Sequence, residues 1–316
     1  MFWTSWFLAA LAVILAWPVP VFLSRAAWPA RAPFAAMVLW QSIALAGGLS
    51  MIGAMLCWGL STLGGNLPSG LHGLLGIFLG TESLDTLGIV HAFALSAAAL
   101  LTAHLLFTLW LTYFRIERQR RKHRDLLHLL SSPSHDQPGT LVLNHQAPVA
   151  YCLPGGSRSV TVLSEGLLAL LSPDELRAVL VHEQTHLAQR HHLLLWAFAA
   201  WRSALPWLPT SRLAQESVSS LIEIMADDVA LRSVDKPTLV TAIALVASGS
   251  DQLPVDALVA GHAAQIDTPT TTSARLGKLL GNAPGLSVFP KLCVIAAALL
   301  LLAAPTALLV VPGILP

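Results

Sequence analysis

The chain alternates between long stretches free of Asp, Glu, Lys and Arg and one polar segment near its middle. Charge is absent from residues 1–24, 32–81, 86–114 and 292–316. Each stretch has room for the roughly 20 apolar residues a helix needs to cross a bilayer. The apolar runs predict spans near 4–23, 35–60, 88–112 and 292–312. Trp3, Trp6 and Trp17, then Trp40 and Trp58, then Trp110 with Tyr113 lie close to the ends of the first three. Amphipathic rings anchor spans at such interfaces. A buried helix of a soluble protein accounts for one such run, not for four. The first run has no basic leader and no obvious cleavage site, so it reads as a retained span. In Gly-rich 64–80, the apolar part 71–79 is too short to span and too apolar for a solvated loop. An interfacial or re-entrant piece fits it.

Between the third and fourth spans the pattern changes. Residues 131–139 are rich in Ser, Pro and Gly and read as a linker. Runs at 140–143, 149–153 and 159–163 predict short strands, with Pro154-Gly155-Gly156 turning between the last two. Ser172-Pro173-Asp174-Glu175 opens a helix with an N-cap, Pro at the first position and a Glu to close a capping box. Leu176, Val179, Leu180 and Leu187 pack that helix against a core and carry it to about His191. Residues 193–209 are apolar and Trp-rich but contain Arg202 and Pro206, which predicts a buried helix or one resting on the bilayer surface. Val218, Leu221, Ile222, Met225 and Val229 recur at helical spacing. Residues 237–249 predict another packed helix, and 250–274 a loop. The fold class is a mostly α membrane protein of about four transmembrane helices with a polar α+β domain holding a small sheet. Its expected layout is a three-span membrane domain at 1–114, a basic juxtamembrane helix and linker at 115–139, the polar domain at 140–290 and a last span at 291–316.

Composition agrees, with 55% hydrophobic and 11% charged residues, outside the range of ordinary soluble domains. A net charge of +1 excludes nucleic-acid binding driven by bulk electrostatics. Cys57, Cys152 and Cys293 are scattered, forming neither a disulfide framework nor a metal set. Arg25 and Arg31 lie between spans one and two. Arg115, Arg118, Arg120, Arg121, Lys122 and Arg124 follow span three, whereas the loop between spans two and three has Glu82 and Asp85 and no basic residue. The positive-inside rule then predicts both termini outside and residues 115–290 in the cytoplasm. The basic run reads as a membrane-flanking stop-transfer segment in preference to one that binds RNA or anionic lipid.

Candidate chemistry sits at His182-Glu183-Gln184-Thr185-His186, an H-E-x-x-H pattern. Four residues apart on a helix, His182 and His186 can present both imidazoles to one ion. Glu183 is placed to take a proton from an attacking water. Glu223 and Asp227, one turn apart, offer a third ligand and a group that fixes a ligand histidine's tautomer. The alternative for this acidic pair is a solvated helix face. A single membrane crossing at 193–209 would separate Glu223 from the two histidines, which a shared ion forbids. His191 and His192 lie off the ligand face and read as a polar helix-end pair.

Segment 148–228 resembles the protease domain of the BlaR/MecR-type membrane zinc metallopeptidases. The likeness rests on Pro148-Val-Ala-Tyr-Cys-Leu-Pro-Gly155, Val160-Thr-Val-Leu-Ser-Glu-Gly-Leu167, Leu171-Ser-Pro-Asp-Glu-Leu176, Val181-His-Glu-Gln-Thr-His-Leu187 and Glu223 to Asp228. It is similar, more distantly, to the heat-shock and CAAX-processing membrane zinc proteases. The resemblance implies a zincin-like (gluzincin) fold, Zn2+ on His182, His186 and Glu223, Glu183 as general base, and a transcriptional repressor as one candidate substrate. Two departures stand out. Thr268-Pro269 replaces the His-Pro step that precedes an Arg in the related proteases, leaving Arg275 as either an oxyanion helper or a surface residue. The sequence also stops at Pro316 without a penicillin-binding sensor, so a short form is expected. The expected activity is hydrolysis of a protein substrate at the cytoplasmic face. A non-catalytic signalling scaffold is the alternative. Intramembrane proteolysis is disfavoured, because Gln184, Thr185, Gln189 and Arg190 make the motif helix too polar for lipid.

Overall fold

Helices long and apolar enough to cross a membrane occupy Phe2–Arg25, Pro33–Leu60, Ile89–Leu127 and Val288–Val310 of the computed structural model. They match the first, second and fourth predicted spans to within a few residues, apart from positions 311–312, which lie outside the described residues, while the third starts as predicted and runs on 15 residues past 112 through the basic segment. The structure describes residues 1–134, 139–153, 159–250, 269–281 and 284–310. Two units emerge. One contains Met1–Trp110, Ala200–Gln215 and Leu286–Pro316, and the other Leu111–Ala199 and Glu216–Gly285.

In the first unit, α1 (Phe2–Ala16) gives way to α2 (Pro18–Arg25) at Trp17, because Pro18 and Pro20 cannot donate backbone hydrogen bonds. The carbonyls left at Leu15 and Ala16 accept from Thr210 Oγ1 at 2.8 and 2.5 Å. α3 (Pro33–Leu60) packs against α1 and α12 (Val288–Val310). It does so through Gly53, where a Cβ would stand 3.1 Å from Leu8 and 3.2 Å from Leu309. The stretch at 64–80 contains a helix, α4 (Leu67–Phe78), started by a reciprocal Asn66–Ser69 capping box. Its Leu71, Leu75 and Phe78 are exposed.

The segment 200–215 belongs to this unit. α8 (His191–Ala204) ends where Ala204, Leu205 and Leu208 bury themselves among Ala16, Met51 and the Leu101 and Leu105 side chains of α5 (Ile89–Leu130). The predicted buried or surface-lying helix at 193–209 is therefore a helix only to Ala204, followed by a turn and the start of α9 (Pro209–Ala230).

The second unit is built on a four-stranded sheet of β1 (Ser131–Pro133), β2 (Thr140–Leu143), β3 (Ala150–Leu153) and β4 (Val160–Ser164), in the order β1-β2-β4-β3. β2 and β4 run parallel, and the two outer pairs are antiparallel. The linker reading of 131–139 misses β1, a three-residue edge strand that tolerates Pro133 because one side needs no ladder bonds. The predicted turn at 154–156 lies outside the described residues. One face of the sheet packs Tyr151, Leu153 and Val162 against Leu127 of α5. The other packs Leu163 with Leu167 and Leu171 against Leu176, Val179 and Leu180.

Those last three belong to α7 (Pro173–Ala188), entered from α6 (Glu165–Leu170). Ser172 and Glu175 form the expected capping box. The helix ends at Ala188, not near His191, because Arg190 adopts a left-handed backbone (φ 52°) that turns the chain. α10 (Lys236–Ser250) buries Leu239 and Ile243 against Ala178 of α7, and Leu279 joins them from α11 (Pro269–Leu280). The loop expected to run to 274 thus becomes helix from Pro269, while 251–268 lie outside the described residues.

Candidate metal centre

α7 places His182 and His186 one turn apart, with ring centroids 4.9 Å from each other. α9 brings Glu223 onto them. His182 Nε2 lies 3.1 Å from Glu223 Oε2 and 3.1 Å from His186 Nε2, and His186 Nε2 lies 3.4 Å from Glu223 Oε1. One ligand atom from each residue falls within 4.8 Å of the others. Glu223 is 1% exposed and Asp227 2%, so the solvated-face alternative for this pair does not describe the molecule.

A second layer fixes the ring orientations. His182 Nδ1 sits 2.9 Å from Asp227 Oδ1. Asp227 in turn accepts two hydrogen bonds from Arg275, Nε to Oδ2 at 2.9 Å and Nη2 to Oδ1 at 2.8 Å. Arg275 Nη1 also approaches Glu223 Oε2 at 3.5 Å. Arg275 is buried, which excludes the surface reading, and its fork is engaged by the carboxylates.

His191 adds a contact that its place at a helix end did not announce. It stands at a helix end, as the first residue of α8, but is 1% exposed and has polar partners inside the unit. Its Nε2 meets Gln189 Oε1 at 2.9 Å and its Nδ1 meets His186 Nδ1 at 3.0 Å. With Nε2–H donating to Gln189, neutral His191 has an accepting Nδ1, which takes the Nδ1–H of His186. The lone pair of His186 is thereby left on Nε2, facing Glu223. The spacing from His186 to His191 gave no clue, since a continuous helix would aim them apart. The Arg190 turn brings them together. His192 lines the same cavity and is half-buried.

Electrostatics sharpen the picture. Burial opposes the protonated form of His182, but hydrogen bonds to Asp227 and Glu223 overcome it and push its pKa up to about 10. Burial pushes His186 down to about 3 and His191 down to about 4. Burial would raise Asp227, yet His182 and Arg275 hold it down at about 2. Two nitrogen donors and one carboxylate suit Zn2+ by ligand type and number and leave a coordination position for water or substrate. The residues fit the ion.

A cavity of about 130 Å3 opens beside this cluster. Glu183 lines it, as do Ala150, Tyr151 and Cys152 of β3, an edge strand with β4 as its strand neighbour. Leu239 and Ile243 of α10 form part of its apolar wall.

Residues 117–262 match the model of Peptidase family M48. Neither the curated proteins nor the solved structures contain a match to the chain. The family match supports a metallopeptidase, and the His182, His186 and Glu223 cluster is compatible with metal binding.

Proposed function

We propose that the chain is an integral membrane zinc endopeptidase that cuts a protein substrate at the cytoplasmic face. The convergence of His182, His186 and Glu223 within a matched peptidase segment carries this reading. The three residues would hold Zn2+, whose Lewis acidity polarises the scissile carbonyl. Asp227 and His191 keep both imidazoles presenting Nε2, and Arg275 anchors Asp227. Glu183 takes a proton from the attacking water and delivers it to the leaving amine. The outer edge of β3, which has no strand partner among the described residues, suits an extended substrate segment, which would add as a further strand beside the cavity.

The cytoplasmic assignment rests on the six basic residues at 115–124 and the acidic, base-free loop between spans two and three. Kinship with the BlaR/MecR-type enzymes, and with it a repressor-like substrate, belongs to the same proposal and rests on the quoted motifs. Glu183→Gln should lower cleavage by about 10²- to 10⁴-fold while zinc content stays near one per chain. Wild-type cleavage by that variant would overturn the general-base role of Glu183, and substoichiometric zinc insensitive to His182→Ala would overturn the reading in favour of a scaffold.

A further inference from the structure

The basic residues following the third span sort onto different faces of α5. Arg121 and Arg124 turn toward Glu117, at 3.3 and 3.4 Å from its Oε1. Arg115, Arg118 and Lys122 do not. Spaced at i, i+3 and i+7, they share one side of the helix with Gln119 and line an open groove of about 300 Å3. That side points away from the face carrying His123 and Leu127, which pack against Tyr151. Among the described residues, none of the three has a carboxylate partner, and Asp125, one turn beyond Arg121, pairs with none of them.

Their position along the helix is informative. The charge-free stretch of α5 ends at Phe114, with Trp110 and Tyr113 in its last turn. Arg115 follows immediately, and Lys122 stands roughly 10 Å further along the axis at 1.5 Å per residue. Helical side chains lean toward the helix N-terminus, which for α5 is its apolar, bilayer side. All three cations therefore lean toward the headgroup layer, about 5–7 Å thick on each side of the hydrocarbon. Lys122 reaches it by extending its butyl stem.

We infer that Arg115, Arg118 and Lys122, with Gln119 as a neutral hydrogen-bonding neighbour, form a binding site for the phosphate of anionic phospholipids. The inference depends on α5 crossing the bilayer and not on the chemistry of the metal centre, so either can fail without the other. Three cations on one face, without a carboxylate partner among the described residues, concentrate positive potential where an anionic headgroup sits. The Glu117-paired residues cancel part of theirs.

The test is lipid retention by the full-length protein extracted from vesicles of equal phosphatidylglycerol and phosphatidylcholine, read by native mass spectrometry. Wild type should retain phosphatidylglycerol selectively. Arg115→Gln/Arg118→Gln/Lys122→Gln should lose that preference by roughly fivefold per residue. Arg121→Gln/Arg124→Gln, which removes charge from the other face, should lose much less. Labelling of an N-terminal tag from outside checks that each variant keeps its orientation. Equal losses in the two variants would reduce the effect to bulk charge and overturn the site. Displacement of the lipid by millimolar inorganic phosphate would also overturn it, by showing a site for free anions.

Discussion

α3 and α9 are both long helices with well-buried faces, and they bury opposite chemistries. α3 hides Trp40, Ile43 and a set of small residues, and its neighbours come close where side chains are missing, as at Gly53. α9 hides Glu223 and Asp227, two carboxylates that a solvent-facing helix would leave in water. The first arrangement needs only shape. The second needs compensating partners for its charges, because a charge buried alone costs several kcal/mol. Packing in α3 should therefore tolerate loss of a polar group, while the network around α9 should not.

The largest effect is expected at Arg275. Arg275→Ala leaves Asp227 and Glu223 short of a buried cation and should destabilise the metal-free protein by about 3–5 kcal/mol, measured by denaturant titration. A loss below about 1 kcal/mol would break the contrast, since such values are typical of surface ion pairs.

Cys152 reports the same interior kinetically. Burial pushes its thiol up to about 11, with a hydrogen bond from Thr161 opposing and the charge of Glu183 adding to the rise. Because the thiolate is the reactive form, alkylation at pH 8 should run about a hundredfold slower than for an ordinary thiol and accelerate as pH rises toward 11. Glu183→Gln should narrow the gap, and mass-spectrometric labelling rates would show it.

Gly166 tests shape within the polar unit. A Cβ there would stand 1.8 Å from the Gln146 carbonyl oxygen, a backbone atom that cannot swing aside. Gly166→Ala should cost about 1–3 kcal/mol in thermal unfolding. The smallest change belongs to α3. Ser50 is fully buried and its hydroxyl has no hydrogen-bond partner among the described residues. Ser50→Ala should be neutral or stabilise by up to about 1 kcal/mol, the mirror image of the Arg275 result.

Much of this was legible because it is local. Charge-free length marks a span whatever surrounds it, and four-residue spacing puts His182 with His186, and Glu223 with Asp227, on single faces before any tertiary contact is known. Ser172 and Glu175 announce a helix start for the same reason. What stayed hidden depends on distant partners. β1 is too short and too polar to read as a strand until Leu141 to Leu143 lie beside it. Arg275 could be buried or exposed until Asp227 is seen against it. His191 depends on one residue's backbone, Arg190, entering a region that its sequence does not demand.

The strand order 1-2-4-3 also constrains how the second unit assembles. β1 with β2 and β3 with β4 are two antiparallel hairpins, each made of neighbours in the chain, and a single parallel pairing of β2 with β4 joins them. Short sequence separation makes loop closure inexpensive, so each hairpin can zip up early. All three pairings draw on residues 131–164 alone. During synthesis, the platform flanking the cavity can be complete before the helix that carries the two histidines has left the ribosome.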